Sequence, residues 1–545
     1  MNESQFHALV DEMVRWFLEQ SPVLATYMGI HEYDHLLADC RIPAIEARHE
    51  RIRESLADLQ KADPAGWSKE SRIDYTLVVQ LLKKFILEHE QQAAHLRDPA
   101  GYLFEVMEGV FSLIIKEFAP LEQRLQSLAG RVGEVPRVLA EGKSNLQPAK
   151  VPPVWGELAL EQARMGPALF EGLLPAIAAG FPKLQAELAK LGREAAAACV
   201  EYASYLEKEL LPAAAGDFAA GEDYFNTLLR EQHLVDYDAA ALLETGRRLF
   251  NETRSAMEDL ARQIDPSLTI EEILERNKEN HPAADDLLSE YRRAMEAARS
   301  YTVEHNIASL PAGETLRIIE TPQFLRPIIP YAAYMPSGIF EEKLEGIFMV
   351  TPPDENASPE EIEAKLKGQP YSKIPVTAIH EAYPGHHLQL SWAASRGSTA
   401  RKMGAQLSTL FVEGWAFYCE ELMEQLGYIN TPLQRLGRLS DQLWRAARII
   451  LDVSLHCRGM SVAEAVNFLV KECGLQPADA LAEVRRYTVT PTQPQSYLMG
   501  KLEILKIIDE YKKLWPGASL RQMHDDILAC GSLPPQLMRR QLFSS

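Results

Sequence analysis

The chain has 545 residues, 46% hydrophobic and 24% charged, with a formal net charge of −21; that apolar fraction excludes an intrinsically disordered chain, and the length allows ~3–4 domains. So acidic a composition argues against nucleic-acid binding, which needs basic side chains along the phosphates, and serves solubility instead. No stretch approaches ~20 uninterrupted apolar residues, so no membrane partner is expected.

The opening Met-Asn-Glu-Ser-Gln has no basic, apolar leader, and the six cysteines are scattered without close pairs. Reduced, buried thiols in a cytoplasmic protein are the expectation. Phe6, Val10, Met13, Val14, Phe17 and Leu18 recur at helical spacing, and Ile73, Leu77, Val78, Leu81, Leu82, Phe85 and Ile86 repeat the pattern. Both faces read as core. Residues 103–141 read as helix up to the prolines at 148, 152 and 153, and 184–211, rich in alanine and leucine, as another. The glycines of 215–223 mark a loop and a candidate boundary, and 237–262 and 270–304 are again helical, with charged outer faces. The texture then changes: 316–320 and 346–350 are short, β-branched or aromatic, and bounded by Pro and Gly, which predicts a small sheet just ahead of residues 376–392. Five prolines mark 351–375 as a surface excursion or a flap. Farther on, Arg448, Asp452 and His456 fall at successive i+4 steps of a helix, as a salt-bridged stripe or a substrate clamp.

Three places set a His-Glu pair ahead of another histidine, close to the His-Glu-x-x-His pattern of zinc peptidases. With fourteen histidines in the chain, context must decide among them. His89 and His95 are six residues apart, and an uninterrupted helix turns such positions about 120° from each other; they are expected to lie on a solvated face and not to share an ion. His31 and His35 sit between Gly29 and Pro43, with room for barely three turns and no acidic helix following; a structural role is expected. The third copy, His380-Glu381-Ala382-Tyr383-Pro384-Gly385-His386-His387, is followed by Glu413 among Leu410, Phe411, Val412, Trp415 and Phe417. An unpaired carboxylate is costly to bury there. A metal explains it, since catalytic zinc takes three protein ligands and keeps one position open, and so does an arginine partner. On an ideal helix His387 returns to within about 20° of His380 while His386 points away. Pro384 and Gly385 permit a bulge that brings His386 into the i+4 place instead.

The run from His380 to Gln389, with Glu413-Gly-Trp-Ala-Phe-Tyr-Cys-Glu420, resembles the bacterial family called domain of unknown function 885, which belongs with the zincin-like metallopeptidases having a glutamate third ligand. Residues 25–34 resemble that family's N-terminal signature, and 445–456 and 486–500 its C-terminal ones, so the resemblance covers nearly the whole chain. It implies a mainly α fold, a large zincin-like helical metallopeptidase with a small β-sheet beside the metal-binding helix and a deep central cleft. Residues 1–305 would form a mostly helical part covering the cleft and 306–545 the catalytic part, the two intertwined as one unit.

Carried over residue by residue, the resemblance implies that His380, His386 and Glu413 hold one Zn2+ per chain and that Glu381 is the general base. Tyr497 is the candidate oxyanion donor, with His456 next in line, because its loop resembles the family signature. Here Thr492-Gln493-Pro494-Gln495 stands where the family usually has Gly-Gln-Ala-Leu before Ser-Tyr. Glu420, two turns after Glu413, is a candidate acceptor behind a ligand, and His387 orients a ligand or touches substrate if it is not one itself. Gly346–Val350 is the candidate edge strand for pairing with a substrate backbone, with Tyr331 and Tyr334 as lining residues and Arg448 and Arg486 as candidates to hold a substrate carboxylate.

The expected function is hydrolysis of short peptides or peptide-like amides by metal-activated water, with Glu381 moving the proton to the leaving amine. Two alternatives stand beside it: metal-dependent hydrolysis of a non-peptide amide, and a non-catalytic helical binding scaffold. Two histidines and one carboxylate also suit non-haem iron.

Overall fold

A computed structural model describes residues 1–322, 326, 329 and 331–543. Among these residues the chain is helical apart from one three-stranded sheet. No described helix is long and apolar enough to cross a membrane, and none of the six cysteines is in a disulfide.

Two compact units form, residues 1–71 with 78–218 and residues 72–77 with 219–545. The division falls inside the 215–223 loop and not at 305/306. The reason is where the apolar faces after that loop find partners: helix Ala239–Ile264 runs along Pro432–Cys457, and Leu287–Glu304 packs on Ile374–Glu381. Gly246 lets the first of these pairs approach closely, since a Cβ there would lie 2.8 Å from Ile449 Cγ2.

In the first unit, helix Glu3–Glu19 buries Phe6, Val10 and Leu18. The single helix expected over 103–141 is two, Pro99–Ile115 and Leu121–Asn145, both packed with neighbours in this unit. Between them the core encloses Arg131, whose guanidinium donates to the carbonyls of Leu36, Gly109 and Pro22 and to Thr26 Oγ1. Those acceptors offset the cost of burying the charge.

Helix Lys69–Leu87 does not run on through His89 and His95. It passes into a π-helical turn, Glu88–Gln92, Ala93 takes the left-handed conformation (φ 46°), and a short helix, Ala94–Arg97, begins anew. The premise that kept His89 and His95 apart therefore fails. The wider turn and the left-handed residue bring the two rings to 4.9 Å, centroid to centroid, with planes 11° apart.

The sheet belongs to the second unit: β1 (Thr315–Glu320), β2 (Ala332–Met335) and β3 (Glu345–Val350), in the order β1-β3-β2. β3 pairs parallel with β1 and antiparallel with β2. This corrects the expectation that Gly346–Val350 is an edge strand. Its run Ile347, Phe348, Met349, Val350 is buried, as a strand covered on both sides requires. β2 pairs along one side only among the described residues. The expected excursion at 351–375 holds a helix, Pro359–Lys367, closed by a capping box between Ser358 and Glu361.

Candidate metal centre

The motif is two helices with a break between them. Helix Ile374–Glu381 ends at Ala382 (φ −114°, ψ −90°), and helix His386–Ser395 starts after Gly385. Pro384 has no N–H to continue the ladder, and Gly385 sits where a side chain would strike the carbonyls of Ile379 and His380. Trp415 Nε1, two residues past Glu413, donates to the Pro384 carbonyl at 2.8 Å, and Cys419 Sγ lies 3.5 Å from the same oxygen. The exposed carbonyl of the break thereby ties helix Leu410–Gln425 to the start of the second motif helix.

His380, His386 and Glu413 converge: one ligand atom from each lies within 4.8 Å of the other two. His386 Nε2 and Glu413 Oε2 are 3.4 Å apart. Two donors set tetrahedrally on one ion at bonds of ~2.0–2.1 Å lie about 3.3 Å apart. Glu413 Oε2 is buried and accepts no hydrogen bond, which suits an oxygen with a cation as its partner. Burial alone would raise the Glu413 pKa, but the proximity and charge of His386, then the charges of His380 and Arg448, hold it down to about 2. His380 Nδ1 lies 2.7 Å from Glu420 Oε1, which leaves Nε2 as its ligand nitrogen. Burial pulls the His380 pKa down, yet the Glu420 hydrogen bond and the charges of Glu381, Glu420 and Glu413 raise it overall. The donor set, two imidazoles and one carboxylate, fits zinc.

Of the two histidines, His386 is the one that lies with His380 and Glu413. His387 is fully buried, with both ring nitrogens engaged: Nε2 lies 2.8 Å from Glu314 Oε2 and Nδ1 3.0 Å from the Tyr334 hydroxyl. Tyr383 donates to the same Glu314 oxygen at 2.5 Å, and Arg299 reaches the other at 3.0 Å. Burial works against the Glu314 charge, but hydrogen bonds from His387 and Tyr383 and the proximity of Arg299 hold its pKa down to about 2. Gly346 of β3 gives this network its space, because a Cβ there would lie 2.5 Å from His387 Nδ1. Sequence reading missed Glu314, Arg299 and Tyr383. Tyr383 lies inside the motif and could have been noticed, but nothing in the local pattern marks a glutamate on a loop at 314.

Glu381, the last residue of the first motif helix, is half-buried and close enough for its charge to act on His380. Tyr497, in the first turn of helix Ser496–Leu514, lies with its ring nearly parallel to that of His380, 6.4 Å away between centroids. Arg448 lies over the Tyr497 ring at 4.6 Å and Arg445 at 5.8 Å. Burial and the charge of Glu413 raise the Tyr497 pKa, so the phenol keeps its proton. Arg448 Nε donates to Tyr487 Oη at 3.0 Å and Nη2 to Glu483 at 2.9 Å, while Nη1 is buried and unpartnered.

The other residues singled out lie away from the ligand cluster. Both nitrogens of His456 meet backbone, Nε2 at the Tyr487 carbonyl and Nδ1 at the Ala220 N–H, so it offers no oxyanion donor. Asp452 Oδ1 accepts from Thr492 N at 3.2 Å. Thr492, at the place where the family usually has Gly, takes φ 67°, a left-handed conformation rare for a β-branched residue. Its Oγ1 lies 3.0 Å from His233 Nε2, so a buried aspartate and a buried histidine pin the loop leading into Tyr497. Arg486 donates to Gln493 and Glu483. Tyr331 packs against Gly368 and under Lys365, and the Tyr334 hydroxyl meets His387 Nδ1. His31 stacks on Phe118 and pairs with Asp34. A cavity of about 790 Å3 lined by Tyr511, Trp515 and Gln522 shares no residue with the cluster.

The chain belongs to the DUF885 family, bacterial proteins of unknown function, whose model matches residues 22–542. Its fold is also that of two solved structures. A candidate lipoprotein of unknown function from Shewanella oneidensis is 24% identical over 100% of both chains, with a TM-score of 0.81. A candidate lipoprotein from Colwellia psychrerythraea is 16% identical over 99% of this chain and 98% of that one, with a TM-score of 0.85. Curated proteins contain no match to this chain.

Proposed function

We propose that this chain is a zinc-dependent metallopeptidase of zincin-like fold, acting on short peptides or peptide-like amides. The observation that supports it is the convergence of His380, His386 and Glu413 close to Glu381, with the half-buried Tyr497 phenol and an unpartnered guanidinium nitrogen of Arg448 nearby. A zinc ion held by those three side chains supplies Lewis acidity to water and to a carbonyl oxygen.

Glu381 takes the proton from the attacking water and hands it to the leaving amine, so no covalent intermediate with the protein is needed. Tyr497 keeps its proton and donates to the oxyanion as it develops. Glu420 holds the His380 ring by Nδ1 and fixes its tautomer. Arg448 Nη1 is available to an anionic group of the substrate, and the side of β2 that pairs with no strand among the described residues is available to its backbone.

The test is turnover of a mixed peptide library by the zinc-loaded wild type and Glu381→Gln. The reading predicts cleavage by the first, and by the second a rate at least 100-fold lower with zinc still bound. Equal rates, or no cleavage by either, would remove it. A cytoplasmic location belongs to the same reading, whereas both structural neighbours are described as lipoproteins; cell fractionation of the native protein decides between the two.

A further inference from the structure

The first unit carries a second cluster of the same donors. Glu46 stands on helix Ile42–Leu59, His89 in the π-helical turn Glu88–Gln92 and His95 in helix Ala94–Arg97. One ligand atom from each lies within 4.8 Å of the other two. His89 Nε2 is 3.2 Å from one Glu46 oxygen and 3.3 Å from the other, the ~3.3 Å separation expected of two donors on one ion. The His89 and His95 centroids lie 4.9 Å apart, and two imidazoles sharing an ion at ~2.0–2.1 Å bonds have centroids about 5 Å apart.

Two independent features point to a ligand here. His89 and His95 border a cavity of about 500 Å3, also lined by His49, Cys40 and Trp16. His49 stacks on His89 at 3.6 Å, and its Nδ1 is buried with no partner, a cost that an occupant of the cavity would relieve. The helix is broken between the two candidate ligands, and π-turns and left-handed residues gather at functional sites.

We propose that Glu46, His89 and His95 hold a divalent transition-metal ion in the first unit, with its remaining positions open to the cavity. Two imidazoles and a carboxylate take zinc or iron(II) in preference to magnesium or calcium. Three protein ligands leave room for water or a small anion, and His49 offers that occupant a hydrogen-bonding nitrogen. The ion ties helix Ile42–Leu59 to the restarted helix, so its binding stabilises the folded chain.

The test loads metal-free, full-length protein with Zn2+, removes the excess by gel filtration and counts zinc per chain. The proteins are wild type, His386→Ala, His95→Ala and the pair His95→Ala/His386→Ala. The expected result is one equivalent retained by His386→Ala and lost in the pair, with Zn2+ raising the Tm of the former only. Glu46→Gln, whose side chain is 50% exposed and so leaves the fold intact, should weaken that equivalent at least tenfold in the His386→Ala background, read by chelator competition. A His386→Ala chain that binds no zinc, or zinc indifferent to His95→Ala and Glu46→Gln, overturns this site and leaves the first unaffected. Zinc that follows His95 and not His386 supports this site and removes the other.

Discussion

Gly414 and Gly500 meet backbone to backbone where helix Leu410–Gln425 crosses helix Ser496–Leu514: a Cβ on Gly414 would lie 2.6 Å from Gly500 Cα, and one on Gly500 2.9 Å from Gly414 Cα. Glu413 precedes the first glycine and Tyr497 lies one turn before the second, so this contact sets the distance between a proposed metal ligand and the proposed oxyanion donor. Gly500→Ala should force the helices apart, costing about 1–3 kcal/mol of stability. It should also lower kcat well beyond any change in KM, because small displacements at a reacting centre are expensive. Denaturant unfolding and steady-state kinetics check both, and an unchanged kcat would separate the crossing from catalysis.

The 2.7 Å hydrogen bond between Glu420 and His380 predicts a different effect. Glu420→Gln keeps the volume but removes the charge that orients the ring, and zinc affinity should fall by about 10–100-fold. Chelator competition measures it. Wild-type affinity would mean that packing alone orients His380.

The network behind His387 predicts an acid limb. The folded Glu314 pKa is held at about 2, against an ordinary 4.5. A carboxyl depressed on folding contributes stability that is fully present above about pH 4.5 and is lost as the pH falls from there through about 2. The contribution at neutral pH is of the order of 3 kcal/mol. Glu314→Gln should be less stable than wild type at pH 7, and the gap should close over that window in urea titrations. A gap independent of pH would assign the loss to packing.

The helices that decide the fold were legible because their apolar spacing is long and regular, as in 237–262, observed as Ala239–Ile264. The cluster proposed to hold a metal was legible only in part. Helical spacing favoured His387, and the break that favours His386 rests on a carbonyl held by Trp415, 31 residues away. β3 went to the sheet edge in the sequence reading because β2 is only four residues long and lies in a Pro-rich stretch. His89 and His95 were separated on the premise of an uninterrupted helix, and neither a π-turn nor a left-handed alanine has a sequence signature. The Glu314 network joins residues 69 and 73 positions apart, which local pattern does not reach.

Arg448 supplies a prediction about the substrate. Its Nη1 is buried and unpartnered while Nε and Nη2 are held by Tyr487 and Glu483. If Nη1 meets a substrate carboxylate, Arg448→Lys should reduce kcat/KM for peptides with a free C-terminus by about 10–100-fold, the worth of a hydrogen bond to a charged group. The corresponding C-terminal amides should change little. Equal losses on acids and amides would make Arg448 a support for Tyr497 and not a binding group.

The most direct measurement is zinc per chain, by elemental analysis, in wild type, Glu413→Ala, His386→Ala and His387→Ala, alongside peptide turnover. The account predicts that Glu413→Ala and His386→Ala each lose one equivalent together with all turnover, while His387→Ala keeps the metal. Loss through His387 with retention in His386→Ala, or a wild type that takes up no zinc at this centre after reconstitution, would contradict it.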